Sequence, residues 1–246
     1  MKRLTRVYLE AALTSGTVVE LPRETASHVS KVLRAREGDP LILFGGDGRE
    51  FSGEVESIRG SRVTAAVGHG GVVDRESPLA ITLVQCIPRG DRMDFIVQKA
   101  TELGVVRIVP VLSQRSVVRL DENQAESKAA HWRAVVVNAC EQCGRNLLPS
   151  IEAPVPLISY LGGRPPNIPG WVLDPDPQTA TTRSNHGPAM EIAIGPEGGF
   201  ADGELEAFRI AGFLGVRLGP RILRSETAAI AALTWLQTRF GDFQSS

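Results

Sequence analysis

The sequence predicts an α/β protein in two parts, a small β-rich domain over residues 1–73 and a larger domain over 74–246 built on a parallel sheet flanked by helices. Two observations predict it. Up to about residue 70, short β-rich segments follow one another between turn residues. After the breaker-rich stretch Gly68-His-Gly-Gly-Val-Val-Asp-Arg-Glu-Ser-Pro78, strands alternate with helices.

In the first part the strand signals are Arg6–Leu9, Thr17–Leu21, Leu41–Phe44, Glu50–Val55 and Arg62–Val67. One helix interrupts them, with Thr25 placed to cap a run carrying Val29, Val32 and Leu33 at helical spacing. The pattern is that of a small barrel with one helix. Gly45-Gly-Asp-Gly48 follows an apolar strand, as a nucleotide-binding loop would, but Glu50–Val55 alternates as a second strand, which makes the glycines a hairpin turn. In the second part Ala80–Ile87 reads as a buried strand, Asp91–Leu103 as a helix, Val105–Val111 as a strand and Glu122–Gln142 as a long helix. Strands at Trp171–Leu173, Glu191–Ile194 and Val216–Leu218 follow. Asp202 is placed to cap one helix that stops near Gly212, and Ser225 a last one with Ile230, Leu233, Leu236 and Phe240 on one stripe.

Composition narrows the classes. With 246 residues, 42% hydrophobic and 22% charged, the chain has material for an ordinary core. Its Met-Lys-Arg start resembles a signal peptide, but Glu10 interrupts the apolar stretch and no run approaches about 18 apolar residues, so a soluble, cytoplasmic protein without membrane contact is expected. A net charge of −1 means that nucleic-acid contact must come from local clusters. The cations are 23 Arg and 4 Lys, a bias that suits phosphate and base edges and that base composition explains equally well. Three cysteines argue against a disulfide framework. Cys140-x-x-Cys143 lies at a helix end with no second pair to complete a zinc site, and although His131 could add a ligand, the reading is plain thiols and no metal.

The chemistry concentrates in Ile194-Gly-Pro-Glu-Gly-Gly-Phe200 and Leu218-Gly-Pro-Arg-Ile-Leu-Arg-Ser-Glu-Thr-Ala228. In each, an apolar strand ends in a Gly-Pro loop and a helix follows. Ligands of open α/β sheets settle at such strand ends, where glycines admit close backbone approach. Neither loop has a phosphate-binding spacing, and Glu197 would repel phosphate. Glu197 suits either a cationic ligand such as a sulfonium or the capping of nearby amides.

These two segments, together with His28-Val-x-x-Val-Leu-Arg34, Gly38-Asp39, Lys99-Ala-Thr-Glu-Leu-Gly-Val105 and Glu141-Gln-x-Gly-Arg145, resemble the RsmE group of 16S ribosomal RNA uridine N3-methyltransferases, in the SPOUT superfamily, nearly end to end. The resemblance implies a C-terminal domain tied in a deep trefoil knot, a PUA-like N-terminal barrel that binds RNA, and a homodimer. It implies S-adenosylmethionine held by Leu173, Gly195, Pro196, Glu197, Gly198, Gly199, Leu218, Gly219, Ile222, Leu223 and Thr227. Its target would be N3 of uridine 1498 in the RNA of the small ribosomal subunit. Cys143 departs from the common Ser, and Asn138 from a common acidic residue.

N3 of uracil carries its proton on the pairing edge, so methylation needs an unpaired base, a proton acceptor and donors at O2 or O4. Arg221 and Arg224 are the expected donors. Glu141 is the expected acceptor, although a helix-end charge explains it as well. Arg3, Arg6, Arg34, Arg36, Arg115, Arg119 and Arg145 are the expected RNA contacts, each of which also reads as an ordinary surface charge. His28 reads as a packing or capping residue, and Trp132, Trp171 and Trp235 as core. The rival readings are a related methyltransferase acting on tRNA or a ribose 2′-OH, and a non-catalytic RNA-binding protein.

Overall fold

A computed structural model describes residues 4–174 and 187–243. They form two compact units. The first comprises the residues up to Glu76 together with Cys140–Leu148, and the second comprises Ser77–Ala139 and the residues from Pro149 onward. The first unit therefore takes in a short later stretch that a single boundary after residue 73 would assign to the other domain.

The first unit is a five-stranded sheet in the order β1 (Thr5–Tyr8), β3 (Pro40–Phe44), β4 (Arg49–Arg59), β5 (Arg62–Val72), β2 (Val18–Glu20). β1 and β3 run parallel, and the other three ladders are antiparallel. Inward positions of the strands, including Val7, Leu43, Phe51, Val55, Val63 and Ala65, pack with Leu13, Leu21, Ala26 and Val29 from the connections. The glycines after Phe44 make the β3–β4 hairpin turn, with Gly46 and Gly48 both at φ +86. β5 runs to Val72, into the breaker-rich stretch expected to mark the domain boundary. Gly68 and Gly70 are there for close approach rather than as breakers, because a Cβ on either would overlap Ser52 Oγ or the Phe51 ring.

The helical segment also departs from expectation. α1 spans Arg23–Ser27 with Pro22 before it, so Thr25 lies inside the helix instead of capping it. The chain then widens into a π-helical turn over His28–Val32. That extra residue per turn rotates the apolar positions apart: Val29 is fully buried, whereas Val32 and Leu33 are exposed, and so is His28.

The second unit holds a seven-stranded sheet in the order β12 (Phe213–Val216), β10 (Gly170–Leu173), β11 (Ala189–Ile194), β6 (Ala80–Cys86), β7 (Val105–Leu112), β8 (Ser150–Ile151), with β9 (Val155–Pro156) also on β7. Every ladder in it is parallel. β6 and β11 are buried along almost their whole length, as central strands covered on both faces must be. The helices are α2 (Arg92–Glu102), α3 (Glu122–Cys143), α4 (Leu157–Gly163), α5 (Asp202–Ile210) and α6 (Ser225–Phe240). The last turn of α3 belongs to the first unit. The strand expected at Val216–Leu218 lies at Phe213–Val216, and α4, β8 and β9 had no sequence expectation. Phe200, Phe208 and Phe213 stack edge to face at 4.8 and 4.9 Å, holding α5 against the sheet. Trp132 and Trp171 are buried, Trp235 is half-buried, and Leu233 and Leu236 carry the apolar stripe of α6 inward. Among the described residues, no helix is long and apolar enough to cross a membrane.

Candidate functional site

The strand order places the two Gly-Pro loops. β12, β10 and β11 are parallel neighbours, with Leu173 in register with Val216 and Val172 with Ala193, so the loops that follow them leave the same edge of the sheet. Leu173, the segment Gly195–Gly199 and the segment from Leu218 to Thr227 are thereby brought to one carboxyl edge, where open parallel sheets take their ligands. The 175–186 segment after β10 lies outside the described residues.

Glycine is required at several points of this edge. Gly199 and Gly219 sit at φ +67 and +76, a region in which side chains are strained. A Cβ on Gly195 would come within 3.3 Å of the Phe200 ring and 3.4 Å of Gly199 Cα. Pro196 is buried, and its carbonyl accepts the Gly199 amide at 2.9 Å. Around this backbone Leu173, Leu218 and Leu223 are half-buried, Thr227 is exposed, and Ile222 is 87% exposed. Arg221 and Arg224 are exposed beside them.

Side chains brace the loops. Ser225, expected as a helix cap, makes no cap bond, and Arg224 occupies the position before α6. The buried Ser225 hydroxyl instead donates to the Gly195 carbonyl at 2.8 Å and accepts from Gln85 Nε2 at 3.0 Å, joining the second loop to the first and both to the end of β6. A second link is ionic: Arg92 is 2.6 Å from Glu197 and 4.0 Å from Glu226. Glu197 also accepts the Arg89 amide at 3.2 Å, which fits the amide-capping reading.

Across the first loop, Asp202 does not cap α5. The capping bond belongs to Glu204, which is buried and accepts the amides of Ala201 at 2.9 Å and Gln114 at 2.7 Å. Arg115, expected to touch RNA, donates to the Gly198 carbonyl at 3.0 Å. Gln85, Arg92, Glu204 and the role of Ser225 were missed by sequence reasoning. The one signal for Gln85 was an amide at the end of an otherwise apolar strand.

The expected arginines separate sharply. Arg6 and Arg145, expected to touch RNA, have both guanidinium groups committed inside the first unit, with side chains only 5% exposed. Arg6 bonds Glu50 at 2.7 Å, Asn146 Oδ1 at 2.5 Å and the Arg145 carbonyl at 3.3 Å, and it covers the Phe44 ring. Arg145 bonds the Glu76 carboxylate through Nε and Nη2. Burial alone would raise the Glu50 carboxyl, but hydrogen bonds from Arg75, Arg6 and Asn146 outweigh it and hold the group at about 2. Arg34, Arg36 and Arg119 are exposed, and Arg3 lies outside the described residues.

Glu141 belongs to this first unit. It is half-buried, and burial pushes its carboxyl up against the opposing effects of the Tyr8 amide, bonded at 3.0 Å, and of the charges of His28 and Arg6. Cys86 and Cys140 are buried thiols raised to about 12 by desolvation, so neither forms a thiolate at neutral pH. All three cysteines are free, and among the described residues no three of His, Cys, Asp and Glu gather as a metal site.

Comparison with known proteins gives this edge a lineage. The RNA methyltransferase domain family matches residues 75–237, and the RNA methyltransferase PUA domain family matches 21–67. A ribosomal RNA small subunit methyltransferase E of Buchnera aphidicola subsp. Schizaphis graminum is 35% identical over 98% of both chains. The Bacillus subtilis protein of that name is 31% identical over 93% of this chain and 94% of its own. A Legionella pneumophila methyltransferase, solved with the bound cofactor SAM, superposes with a TM-score of 0.93 at 39% identity, covering 98% of this chain and all of its own. The Neisseria gonorrhoeae ribosomal RNA small subunit methyltransferase E, solved with S-adenosyl methionine, gives 0.88 at 37% identity over the same shares. A chain with both domains, this degree of identity from end to end and the same fold belongs to the ribosomal RNA small subunit methyltransferase E family.

Proposed function

We propose that this protein transfers a methyl group from S-adenosylmethionine to N3 of one uridine in 16S ribosomal RNA, at the position 1498 implied by its motifs, in the assembled small subunit. The observation that carries the reading is the pair of Gly-Pro loops on one sheet edge, tied by the Ser225–Gly195 bond. Their glycines leave main chain without side chains at the strand ends, which suits the close approach of an adenosyl group. Leu173, Gly195, Pro196, Gly198, Gly199, Leu218, Gly219, Ile222 and Leu223 would line that group, with Glu197 and Thr227 beside it.

When bound, S-adenosylmethionine supplies an electrophilic methyl: the N3–carbon bond forms as the carbon–sulfur bond breaks, and the sulfonium leaves as a neutral thioether. The chain must expel water, orient the base and take its proton. Arg221 and Arg224, both exposed, are the proposed donors to O2 or O4 that stabilise the charge deprotonation spreads over the ring. Glu141 is the proposed acceptor, its raised carboxyl being a better base than an ordinary glutamate. Glu141→Gln is expected to slow single-turnover methylation at least tenfold with cofactor affinity unchanged, and full activity in that variant removes Glu141 from the reaction.

The same reading takes the first-unit sheet as a closed PUA-like barrel, the second unit as a SPOUT domain with a trefoil knot, and the working form as a cytoplasmic homodimer. The deciding experiment incubates the protein with labelled cofactor and small subunits lacking the modification, then maps the labelled nucleotide. Label on a ribose 2′-oxygen or in tRNA would sink the uridine assignment.

A further inference from the structure

The segment from His28 to Arg36 combines three features that the reaction above does not use. The first is the π-helical turn. The Leu33 amide reaches back to the His28 carbonyl and the Ala35 amide to the Val29 carbonyl, each at 3.0 Å, and fully buried Val29 anchors the turn in the core of the first unit. The second is Arg34, at φ +52 the one described residue other than glycine with positive φ. It stands just past a helix end, where glycine is the ordinary occupant, so an arginine there holds a strained backbone. The third is exposure: Val32 is 65% and Leu33 44% exposed, side by side, next to exposed Lys31, Arg34 and Arg36. Residues 25–36 carry these three cations and no carboxylate, with Glu24 before them and Glu37 and Asp39 after, Asp39 accepting the Arg36 backbone amide at 2.7 Å.

Strain and exposed aliphatic surface both disfavour such a crest in a free protein, and they persist where a ligand needs them. Cations flank the apolar pair on both sides, at Lys31 before it and at Arg34 and Arg36 after it. Phosphate on each side of an apolar base face has the complementary pattern.

We propose that Val32 and Leu33 form an apolar wedge for unpaired RNA, packing against the face of an unstacked base while Lys31, Arg34 and Arg36 hold the flanking phosphates. Aliphatic side chains inserted at base steps keep nucleotides unstacked, the state that N3 chemistry requires. The inference rests on the RNA substrate proposed above and adds the surface that selects single strands.

The test is fluorescence-anisotropy titration of the full-length protein with a single-stranded RNA and a duplex of the same sequence over a range of salt. The double variant V32S/L33S is expected to lose at least tenfold affinity for the single strand, with the salt slope and duplex affinity unchanged. Its cofactor binding by calorimetry and its sedimentation mass should match wild type. Lys31→Ala with Arg36→Ala should flatten the salt slope instead. Arg34→Gly separates function from folding, since it should weaken single-strand binding while its Tm equals or exceeds that of wild type. Wild-type single-strand affinity in V32S/L33S overturns the wedge, as does a changed sedimentation mass, which would mean that the crest packs on a second copy of the chain. Failure of the methyltransferase reading looks different: the wild-type protein itself would then transfer no methyl group to RNA.

Discussion

The segment Cys140–Leu148 and the loops around Gly195 and Gly219 carry equally distinctive motifs, yet they are put to opposite uses. In the first, Arg145 and Asn146 turn inward to Glu76, Glu50, Arg6 and the Val73 carbonyl, and both are nearly inaccessible. In the second, glycines at 195, 198, 199 and 219 leave the backbone itself presented at the strand ends. An arginine motif in this family is thus no guide to an RNA contact until its burial and partners are known. Low exposure and paired carboxylates mark the inner arginines, and among the described residues Arg34, Arg36, Arg221 and Arg224 show neither mark.

The contrast is broken most directly at Arg145. Arg145→Ala leaves the Glu76 carboxylate without its guanidinium in a largely buried setting and should cost about 3–5 kcal/mol in urea unfolding. If Arg145 were instead an RNA contact, stability would hold and RNA affinity alone would fall. At the opposite pole, Gly195→Val crowds Phe200 and Gly199 without touching the first unit's pairs, so it should weaken S-adenosylmethionine binding at least tenfold by calorimetry while stability changes by about 1–3 kcal/mol.

Ser225→Ala removes the bond between the loops and is expected to raise the cofactor KM several-fold. Ser225→Thr keeps a hydroxyl and should restore most of the effect, and equal KM values in the two variants would show that the hydroxyl has no positioning role. The smallest effect is one of pH. The folded state lowers the Glu50 carboxyl from its ordinary value to about 2, so it favours the charged form. The stability this provides is complete above the ordinary carboxylate range and is lost as pH falls toward about 2. Glu50→Gln should flatten that acid limb of a stability-against-pH curve, and an unchanged limb would assign the acid sensitivity to other groups.

The parts legible in the sequence are those whose cause is local. Strand periodicity placed β6, β7, β10 and β11 within a few residues, and the Gly-rich hairpin followed from alternation on its far side. Gly68 and Gly70 misled because breaker composition looks the same whether a glycine bends the chain or makes room for Phe51 across a ladder. Thr25, Asp202 and Ser225 had the composition of caps, but their neighbours decide the caps: Glu204 closes α5, and Ser225 is drawn away by Gly195. β8 and β9 are two residues each, too short for any periodicity. For the site, glycine spacing located the loops. The braces could not be read, because Gln85 and Ser225 lie 140 positions apart, and only the parallel sheet brings them together.

The two-piece composition of the first unit also sets a timetable for synthesis. Arg6 and Glu50 leave the ribosome long before Asn146, a partner of Arg6 that stands 140 positions later in the chain. The early strands can pair and bury Val7, Leu43 and Val63, and Arg6 can already meet Glu50, yet the Asn146 amide that both bond and the Arg145 guanidinium that pairs Glu76 are missing until the end of α3 has been translated. Of the two units, the one that emerges first is therefore not able to finish first, and a nascent chain halted before residue 140 should remain open to proteases.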